Sequence, residues 1–291
     1  MFSYHTLTTD ILVKGKKHSD RTGVGTYSLF GYQWRHDMRD GFPLLTTKRL
    51  PFRWIAEELF WFLRGSTDEA ELRAEGVDIW KEWSDEATCA KFGRPAGKMG
   101  LIYGGLWRDY PVGYSTHDGV KYDASTHPAT VDQIAQLVDD IQNNPNSRRL
   151  IVTGWHPYYQ KRVSLPPCHT LWQVKVDEEA RGLSLSLYAR SIDAFLGLPF
   201  NIASFGLLLT LLAKVTGLEA HDLVISFGDL HLYHTHQDAL RMQRARMPKQ
   251  LPTLTVADKG RGLEALLSYR WSDLVLSGYD PYPKITAPVA V

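Results

Sequence analysis

Residues 195–213 read FLGLPFNIASFGLLLTLLA and carry no charged side chain over 19 positions. That length approaches the length of a membrane-spanning helix. Gly197, Pro199 and Asn201 interrupt its first half, however, and the uninterrupted apolar run 205–213 is too short to cross a bilayer. A helix that is apolar on all sides is buried inside a globular protein. The stretch therefore predicts a buried core helix.

The chain on either side shows helical and strand patterns in a clustered order. Apolar residues at helical spacing predict helices at 2–13, 51–63, 131–142, 199–216 and 235–243, and β-branched or alternating stretches predict strands at 26–35, 150–154, 170–176, 183–187 and 223–227. Two segments rich in Gly, Pro, Asp, Ser and Lys predict loops at 87–100 and 110–128, and the Pro-rich tail 279–291 predicts an extended segment. Because no repeat or linker interrupts this pattern, it predicts one α+β domain over residues 1–291.

The composition is that of an ordinary globular protein, with 44% hydrophobic and 22% charged residues among 291. A net charge of +1 argues against a nucleic-acid partner and against a membrane surface. The two cysteines, Cys89 and Cys168, are too few for a secreted disulfide scaffold, and the N-terminus lacks the pattern of a signal peptide. We therefore expect a cytoplasmic protein.

Cys168, in the sequence LPPCH, is the candidate nucleophile. A single cysteine is more often a small buried apolar residue, and that alternative stays open. Pro166 and Pro167 restrict the backbone before it, however, and His169 follows it. A thiolate at neutral pH needs a nearby cation, and Arg190 in the predicted neighbouring strand is a candidate for that role.

Residues 190–201, RSIDAFLGLPFN, bring a cation, a hydroxyl, a carboxylate and an amide to a strand-to-helix turn. One interpretation is a capped helix start, in which Ser191 or Asp193 satisfies backbone N–H groups and Pro199 lies in the first turn. That interpretation leaves Asn201 unexplained, because a buried amide is costly without partners. Its donor and acceptor match the O4 and N3–H edge of uracil.

The sequence HLYHTH at 231–236 suggests a sugar site rather than a metal site. Three histidines within six residues invite a zinc ion, but the spacing is poor and no cysteine pair accompanies them, so we predict no metal. A strand end would present His231 and Tyr233 on one face, where both can form hydrogen bonds with a sugar hydroxyl.

Several charged residues suit phosphate or proton chemistry. Arg148 and Arg149 form a pair of the kind that is usually a solvated surface, but arginine forks also fit phosphate oxygens, as does Arg21 in a Gly-rich turn. No P-loop or dinucleotide fingerprint is present in the sequence. Glu58 lies among tryptophans on the predicted helix 51–63, where desolvation would raise its pKa and favour acid–base chemistry, although a surface glutamate is the commoner case.

Together these motifs resemble the thymidylate synthase family from one end of the chain to the other. The matching stretches are DRTG at 20–23, GFPLLTTK at 41–48, ELFWFL at 58–63, IW at 79–80 through Trp83, YG at 103–104, SRR at 147–149, PCH at 167–169, RS at 190–191 with Asp193, LG at 196–197, PFN at 199–201, GD at 228–229 with HLY at 231–233, and APVAV at 287–291. The resemblance implies a three-layer α+β fold with a large mixed sheet, through which two subunits pack sheet to sheet as a homodimer.

The resemblance also implies a role for each matching residue. Catalytic roles fall to Cys168, Glu58, Tyr103, His169, Arg190 and Asp193. Nucleotide-binding roles fall to Arg21, Arg190, Ser191, Asn201, His231 and Tyr233, with Arg148 and Arg149 contributed by the partner subunit. The folate would be lined or covered by Lys48, Ile79, Trp80, Trp83, Leu165, Asp193, Leu196, Gly197, Phe200 and Val291.

The reaction that the resemblance implies is the reductive methylation of dUMP to dTMP. Cys168 would add to C6 of the pyrimidine, and 5,10-methylenetetrahydrofolate would supply both carbon and hydride and leave as dihydrofolate. A hydroxymethylase of the same superfamily, acting on dUMP or less readily on dCMP or CMP, is one alternative. An inactive homologue that binds a nucleotide or RNA is another. Ala189, Phe227 and Leu230 depart from the usual family residues, and the loops at 86–99 and 112–129 are longer than in short members.

Overall fold

The computed structural model describes residues 2–20, 22–112 and 129–289. Within these ranges the helices are α1 (Phe2–Lys14), α2 (Phe52–Leu63), α3 (Glu69–Ala74), α4 (Lys81–Ser84), α5 (Glu86–Ala90), α6 (Tyr103–Arg108), α7 (Gln133–Asn143), α8 (Gly197–Thr216), α9 (Gln237–Arg244) and α10 (Gly262–Ser268). The strands are β1 (Lys16–His18), β2 (Thr26–Asp37), β3 (Tyr110–Pro111), β4 (Thr130–Val131), β5 (Ile151–Thr153), β6 (His169–Asp177), β7 (Gly182–Asp193), β8 (Glu219–Tyr233), β9 (Thr253–Val256) and β10 (Leu274–Ser277). Short 3-10 turns lie at Met38–Asp40, His234–His236 and Trp271–Asp273.

Six strands form one mixed sheet in the order β1-β2-β8-β7-β6-β5. Strands β7 and β8 are parallel, and the other neighbouring pairs of this sheet are antiparallel. Helix α8 connects the parallel pair, as the long crossover between parallel strands requires. The predicted α+β class with a large mixed sheet is therefore confirmed.

Helix α8 is the core helix that the uncharged stretch predicts. Among the described residues it is the one helix long and apolar enough to cross a bilayer, and 78% of its most apolar window is buried inside the protein. It packs against β7, β8 and α2. Gly217 ends the helix in the left-handed conformation, with φ 78°. The first two turns of α8, which carry Gly197 and Asn201, are thus supported by the core.

The two central strands extend further than their apolar patterns predict. Strand β7 continues through Arg190 to Asp193, and β8 continues through His231 to Tyr233. Polar residues break the apolar alternation at these ends, but cross-strand pairing, with Asp193 opposite His231, keeps the backbone extended. The extension brings the polar residues at the C-terminal ends of both strands together at one end of the sheet.

The loop prediction for 87–100 is wrong in its first part. Helix α5 covers Glu86–Ala90, and Asp85 caps it by accepting a 2.9 Å hydrogen bond from the Thr88 N–H. So short a helix gives no clear apolar periodicity and is stabilised by its cap and by tertiary packing. Most of the loop predicted at 110–128 falls on residues 113–128, which lie outside the described residues.

One face of the large sheet carries exposed apolar side chains. Tyr188 on β7 lies directly opposite Leu171 on β6, and these side chains are 42% and 38% exposed. Ile151 on β5 is 40% exposed. Their neighbours along the strands, such as Leu187 and Trp172, are fully buried. An apolar sheet face open to solvent is typical of a protein–protein contact.

Candidate active site

Cys168 lies immediately before β6, and its side chain is half-buried. Its backbone N–H donates to the Tyr103 hydroxyl at 2.9 Å, and its carbonyl accepts from the Arg190 N–H at 2.9 Å. The second cysteine, Cys89, is fully buried. The alternative of a sealed structural cysteine therefore fits Cys89 and does not fit Cys168.

Arg190 brings a fixed positive charge to the sulfur of Cys168. Its Nε donates to the Pro167 carbonyl at 2.9 Å and its Nη2 to the Pro166 carbonyl at 2.8 Å. Nη2 also lies 3.9 Å from Cys168 Sγ, and the guanidinium packs over the Trp155 ring, 5.5 Å from its centroid. The two proline carbonyls thus hold the cation where it favours a thiolate. The sequence predicts this neighbour.

Tyr103 supports the cysteine from helix α6. Its backbone is in an unusual region for a residue other than glycine, with φ 29°. Its ring stacks on Phe62 at 4.9 Å, and burial raises the pKa of its hydroxyl well above the ordinary value. Because the oxygen accepts the bond from the Cys168 N–H, the hydroxyl proton remains available for donation.

Glu58 on α2 is the acid–base candidate. Its Oε1 accepts a 2.7 Å hydrogen bond from Trp80 Nε1, and burial raises its pKa to about 7, with the Trp80 bond opposing that rise. The predicted environment among tryptophans is present, and Trp80 itself packs against Trp61 and Tyr103. A carboxyl group with a pKa near neutrality can both give and take a proton.

His169 is buried beside these groups as a neutral imidazole. Burial lowers its pKa to about 4, and Asn201 opposes this effect from nearby. Neither ring nitrogen of His169 has a hydrogen-bond partner among the described residues, so no hydrogen bond of normal geometry joins the imidazole to Asn201. The ring packs edge-on against Tyr103 and Phe205 at 5.5 and 4.9 Å. Unpaired buried nitrogens are polar sites that a ligand or ordered water can satisfy.

Asp193, the last residue of β7, shapes the turn into α8. Its carboxylate accepts from the Phe195 and Leu196 N–H groups at 3.0 and 2.8 Å, so the predicted capping by Asp193 is present. Lys48 is 3% exposed. Its Nζ donates to the Phe195 carbonyl at 2.5 Å and lies 3.6 Å from the centroid of the Phe195 ring. Burial lowers the pKa of Lys48 to about 7, and Asp193 opposes this effect.

His231 and Tyr233 lie on one face at the end of β8, with ring centroids 5.1 Å apart. His231 pairs with Asp193 in the parallel register, and its carbonyl accepts from the Ala194 N–H at 2.7 Å. The Ser28 hydroxyl donates to the neighbouring Asp229 carboxylate. Among the described residues no group of three or more His, Cys, Asp or Glu side chains could hold a metal ion.

Five of the ten residues predicted to line or cover the folate are aromatic or aliphatic side chains that retain some exposure. Partly buried side chains packed on the core include Ile79, Trp83, Leu165, Leu196 and Phe200, whereas Trp80 is buried. Gly197 opens α8, and a Cβ placed on it would lie 3.9 Å from Asn201 Oδ1. Partly exposed apolar surface of this kind suits a flat ring.

The structure does not place four of the predicted site residues beside Cys168 and Arg190. Arg148 and Arg149 are exposed in the turn before β5 and form no ion pair with a described residue. Arg21 and Val291 lie outside the described residues. Ser191, in contrast, follows Arg190 on β7 and pairs with Asp229 in the β7–β8 register, so it lies at the same end of the sheet.

Two residues near the site are missed by the sequence prediction of site residues. Trp155 contacts the Arg190 guanidinium, and no sequence signal marks it. His236 enters the sequence analysis only as a metal candidate, yet it is fully buried and its Nδ1 lies 3.4 Å from Asp193 Oδ1. Its position directly after β8 is visible in the sequence, but its burial and its contact with Asp193 become apparent only from the fold.

A half-buried cysteine held beside an arginine, with a near-neutral carboxyl group in the same site region, is the arrangement of an enzyme that uses nucleophilic catalysis. The family model described as thymidylate synthase matches residues 2–291. The chain belongs to the thymidylate synthase family. Membership implies an enzyme that depends on folate and transfers one carbon to a pyrimidine nucleotide.

Proposed function

We propose that this protein catalyses the reductive methylation of dUMP to dTMP, with 5,10-methylenetetrahydrofolate as the donor of carbon and hydride and dihydrofolate as the second product. The observation that carries the proposal is the 3.9 Å contact between Arg190 Nη2 and Cys168 Sγ. The cation stabilises the thiolate that this reaction needs at C6 of the pyrimidine. Cytoplasmic location and a single domain over 1–291 belong to the same proposal.

Cys168 begins the reaction by forming a bond from its sulfur to C6 of dUMP. The electron pair of the C5–C6 double bond then becomes nucleophilic at C5 and is delocalised onto O4. When bound, the folate supplies the one-carbon unit that C5 attacks and the hydride that later reduces it to methyl. The C5 proton leaves to a base in the site. At the end the sulfur–C6 bond breaks, which restores the ring double bond and the thiolate.

Three residues handle the protons of these steps. Glu58, with a pKa of about 7, donates towards O4 while charge develops there and takes a proton back afterwards. Tyr103 has a hydroxyl proton to donate near Cys168 and serves as a path for the C5 proton. His169 stays neutral, since burial lowers its pKa to about 4, and its unpaired nitrogens orient water or the base.

The nucleotide is recognised by complementary polar groups. The Asn201 amide presents a donor and an acceptor to the O4 and N3–H edge of uracil. His231 and Tyr233 form hydrogen bonds with the 3′-hydroxyl, and their edge-on contact at 5.1 Å keeps both at the end of β8. Arg190 and Ser191 bind the phosphate together with Arg21.

The phosphate site is completed by Arg148 and Arg149 of the partner subunit in a homodimer. Two features support this part of the proposal. The sheet has an apolar face with Tyr188 and Leu171 exposed, which a second sheet would cover. The two arginines are exposed and without an ion pair in the described part of the chain, so their charges remain available to an anion.

The folate would lie against the apolar residues near Cys168. The residues that would line or close over it are Lys48, Ile79, Trp80, Trp83, Leu165, Asp193, Leu196, Gly197, Phe200 and Val291. The fit rests on chemistry that the described residues have: partly exposed apolar side chains for a flat ring, and a carboxylate for its N–H groups. Trp80, 6% exposed, keeps water from the one-carbon unit, which favours methylation over hydroxymethylation.

Trapping of the covalent complex tests the nucleophile. With 5-fluoro-dUMP and 5,10-methylenetetrahydrofolate, the protein should form a stable adduct, because fluorine at C5 cannot leave as the proton does. Cys168→Ala should form none, whereas Cys89→Ala, which removes the other cysteine, should still form it. Absence of an adduct in the native protein, or an adduct that survives in Cys168→Ala, would overturn the proposed nucleophile.

Product analysis tests the reaction. Mass spectrometry of the product from dUMP should show the gain of CH2 expected for methylation. A gain of CH2O would instead identify a hydroxymethylase, and the absence of any product with intact nucleotide binding would identify an inactive homologue. The same assay with dCMP and the ribonucleotides checks the choice of base and sugar.

A further inference from the structure

His236 connects the C-terminal tail to the turn that carries Asp193. The ring is fully buried, and its Nε2 lies 2.8 Å from the carbonyl oxygen of Pro288 in the tail. Its Nδ1 lies 3.4 Å from Asp193 Oδ1, an ion-pair contact that is long for a hydrogen bond. Phe195 and Tyr233 pack against the ring at 5.6 and 5.3 Å. The imidazole therefore bridges two segments that are far apart in sequence.

Both partners of this ring are hydrogen-bond acceptors. A backbone carbonyl only accepts, and an ionised carboxylate only accepts. A neutral imidazole has one N–H and can satisfy one of them, whereas the imidazolium has two and can satisfy both. When the ring is neutral its one N–H stays on Nδ1, because the charged Asp193 carboxylate is a stronger acceptor than a backbone carbonyl. The Nε2 lone pair then faces the Pro288 carbonyl oxygen, and the hydrogen bond to the tail is lost. The geometry of the bridge is therefore complete only in the charged form.

We propose that His236, as the imidazolium, fastens the C-terminal tail to Asp193 and releases the tail when it loses a ring proton, so that it acts as a pH-sensitive positioning residue for the candidate active site. The proposal rests on the proposed function only for the part that Asp193 plays in binding the folate. The bridge itself involves no ligand, and the tail can be followed without any reaction.

The charges around the bridge support a protonated ring. Burial disfavours the charged form, but the contact with Asp193 outweighs it, so the pKa of His236 is raised above its ordinary value. Burial also favours a neutral Asp193, but His236 and two backbone N–H groups outweigh this effect and lower the pKa of the carboxyl group. Lys48 opposes protonation of His236 from its loop, and the Tyr4 hydroxyl on α1, held neutral by burial beside Asp193, adds no charge.

The direction of the pH effect follows from the raised pKa. A histidine that is more basic in the folded state contributes its stabilisation below the ordinary pKa of 6.5 and loses it as the pH rises through the folded value. Release of the tail should therefore increase with pH. One pH unit above the midpoint, about ten neutral rings exist for each imidazolium.

Carboxypeptidase digestion of the full chain measures this release. The rate of removal of C-terminal residues is recorded from about pH 6 to about pH 9 and divided by the rate for a free peptide of the same terminal sequence. The native protein should be protected at low pH, and cleavage should be about tenfold faster one pH unit above the midpoint than one pH unit below it. Nuclear magnetic resonance of the His236 ring should give the same midpoint, above 6.5.

Two substitutions separate the contacts of the ring. In His236→Asn the amide takes the place of Nδ1, so the bond to Pro288 is lost and cleavage should be fast at every pH. In His236→Gln the amide takes the place of Nε2, so the tail should stay protected without pH dependence. His18→Asn, which changes an exposed histidine on β1, should behave like the native protein. Circular dichroism checks that each variant folds.

Three results would overturn the proposal: a His236 midpoint at or below 6.5, native cleavage that does not change with pH after correction, or a His236→Asn profile equal to the native one. A failure of the proposed function is a different result. It would be the absence of the 5-fluoro-dUMP adduct in the native protein, and it would leave the cleavage profile unchanged.

Discussion

At the scale of single residues, burial raises the pKa of Glu58, which suits the carboxyl group to acid–base chemistry but costs stability once the group is ionised. Its pKa of about 7 lies above the ordinary 4.5, so the folded protein holds a proton more tightly than the unfolded chain. The stabilisation from this proton is complete below about pH 4.5 and is lost as the pH rises through about 7. Above that pH, the folded state contains a desolvated carboxylate.

Glu58→Gln should therefore raise stability and lower activity. The free energy of unfolding should become less dependent on pH. Relative to the native protein, the variant should be more stable at pH 8 than at pH 4 by up to about 3 kcal/mol. Loss of the acid–base group should lower kcat by about a hundredfold or more. Denaturant unfolding at several pH values and kcat with dUMP measure the two effects.

The matched control is Glu57→Gln on the same helix. Glu57 is buried and its pKa is likewise raised by burial, but its carboxylate faces Arg53 at 3.9 Å rather than Trp80. This change should alter the pH dependence of stability without a large loss of kcat. Equal losses of kcat in the two variants would argue against a specific role for Glu58.

The same scale separates what the sequence can predict from what it cannot. A thiol needs a cation and a polar amide needs partners, so Cys168, Arg190 and Asn201 are predictable as candidates from residue chemistry. His236 is not, because nothing near it in sequence indicates that it meets Asp193 and Pro288. The contact depends on the path of the tail, which local pattern does not encode.

At the scale of elements, the approach of α6 to α2 positions the tyrosine that holds Cys168. A Cβ on Gly104 would lie 2.3 Å from the Phe62 carbonyl oxygen and 2.5 Å from the Phe62 Cα. Backbone atoms cannot yield as a flexible side chain can, so only glycine permits this spacing. Tyr103, which precedes Gly104, stacks on the Phe62 ring within the same contact.

Gly104→Ala should separate the two helices and weaken the site. We expect a loss of about 3 kcal/mol in the free energy of unfolding, together with a fall in kcat, because the Tyr103 hydroxyl would move away from the Cys168 N–H. Gly105→Ala is the control: its Cβ would meet only the side-chain ends of Thr67 and Leu101, at 2.8 and 2.9 Å. Urea unfolding and kcat should show a clearly smaller effect there, and equal effects would contradict the argument.

The elements were predictable where they are long and periodic. The core helix α8 follows its apolar pattern closely, because burial on all faces excludes charged residues. Strand β2 covers the predicted residues 26–35 and two more, although its burial alternates only loosely. Short helices such as α5 and the polar end of β7 were not, since caps and strand partners stabilise them rather than periodicity. The polar end of β7 is also where the candidate site lies.

At the scale of the whole molecule, the open apolar face of the sheet and the exposed arginines have one explanation in common. A second sheet packed on Tyr188 and Leu171 would bury apolar surface and would bring each subunit's Arg148 and Arg149 to the other subunit. The sequence predicts such a dimer only through family resemblance, because an exposed arginine pair in isolation is typical of a solvated surface.

Complementation between inactive variants tests whether the sites are shared. In a dimer of Cys168→Ala with Arg149→Ala, one site combines the intact Cys168 of one subunit with the intact Arg149 of the other. Equal mixing with free exchange should therefore restore about a quarter of the native number of sites, since half of the dimers are mixed and each has one intact site. Cys168→Ala mixed with Arg190→Ala should restore none, because Arg190 contacts Cys168 within its own chain. Activity measured after exchange, with mixed dimers verified by mass spectrometry, separates these outcomes, and no recovery in the first mixture would mean that Arg149 serves its own subunit or no site at all.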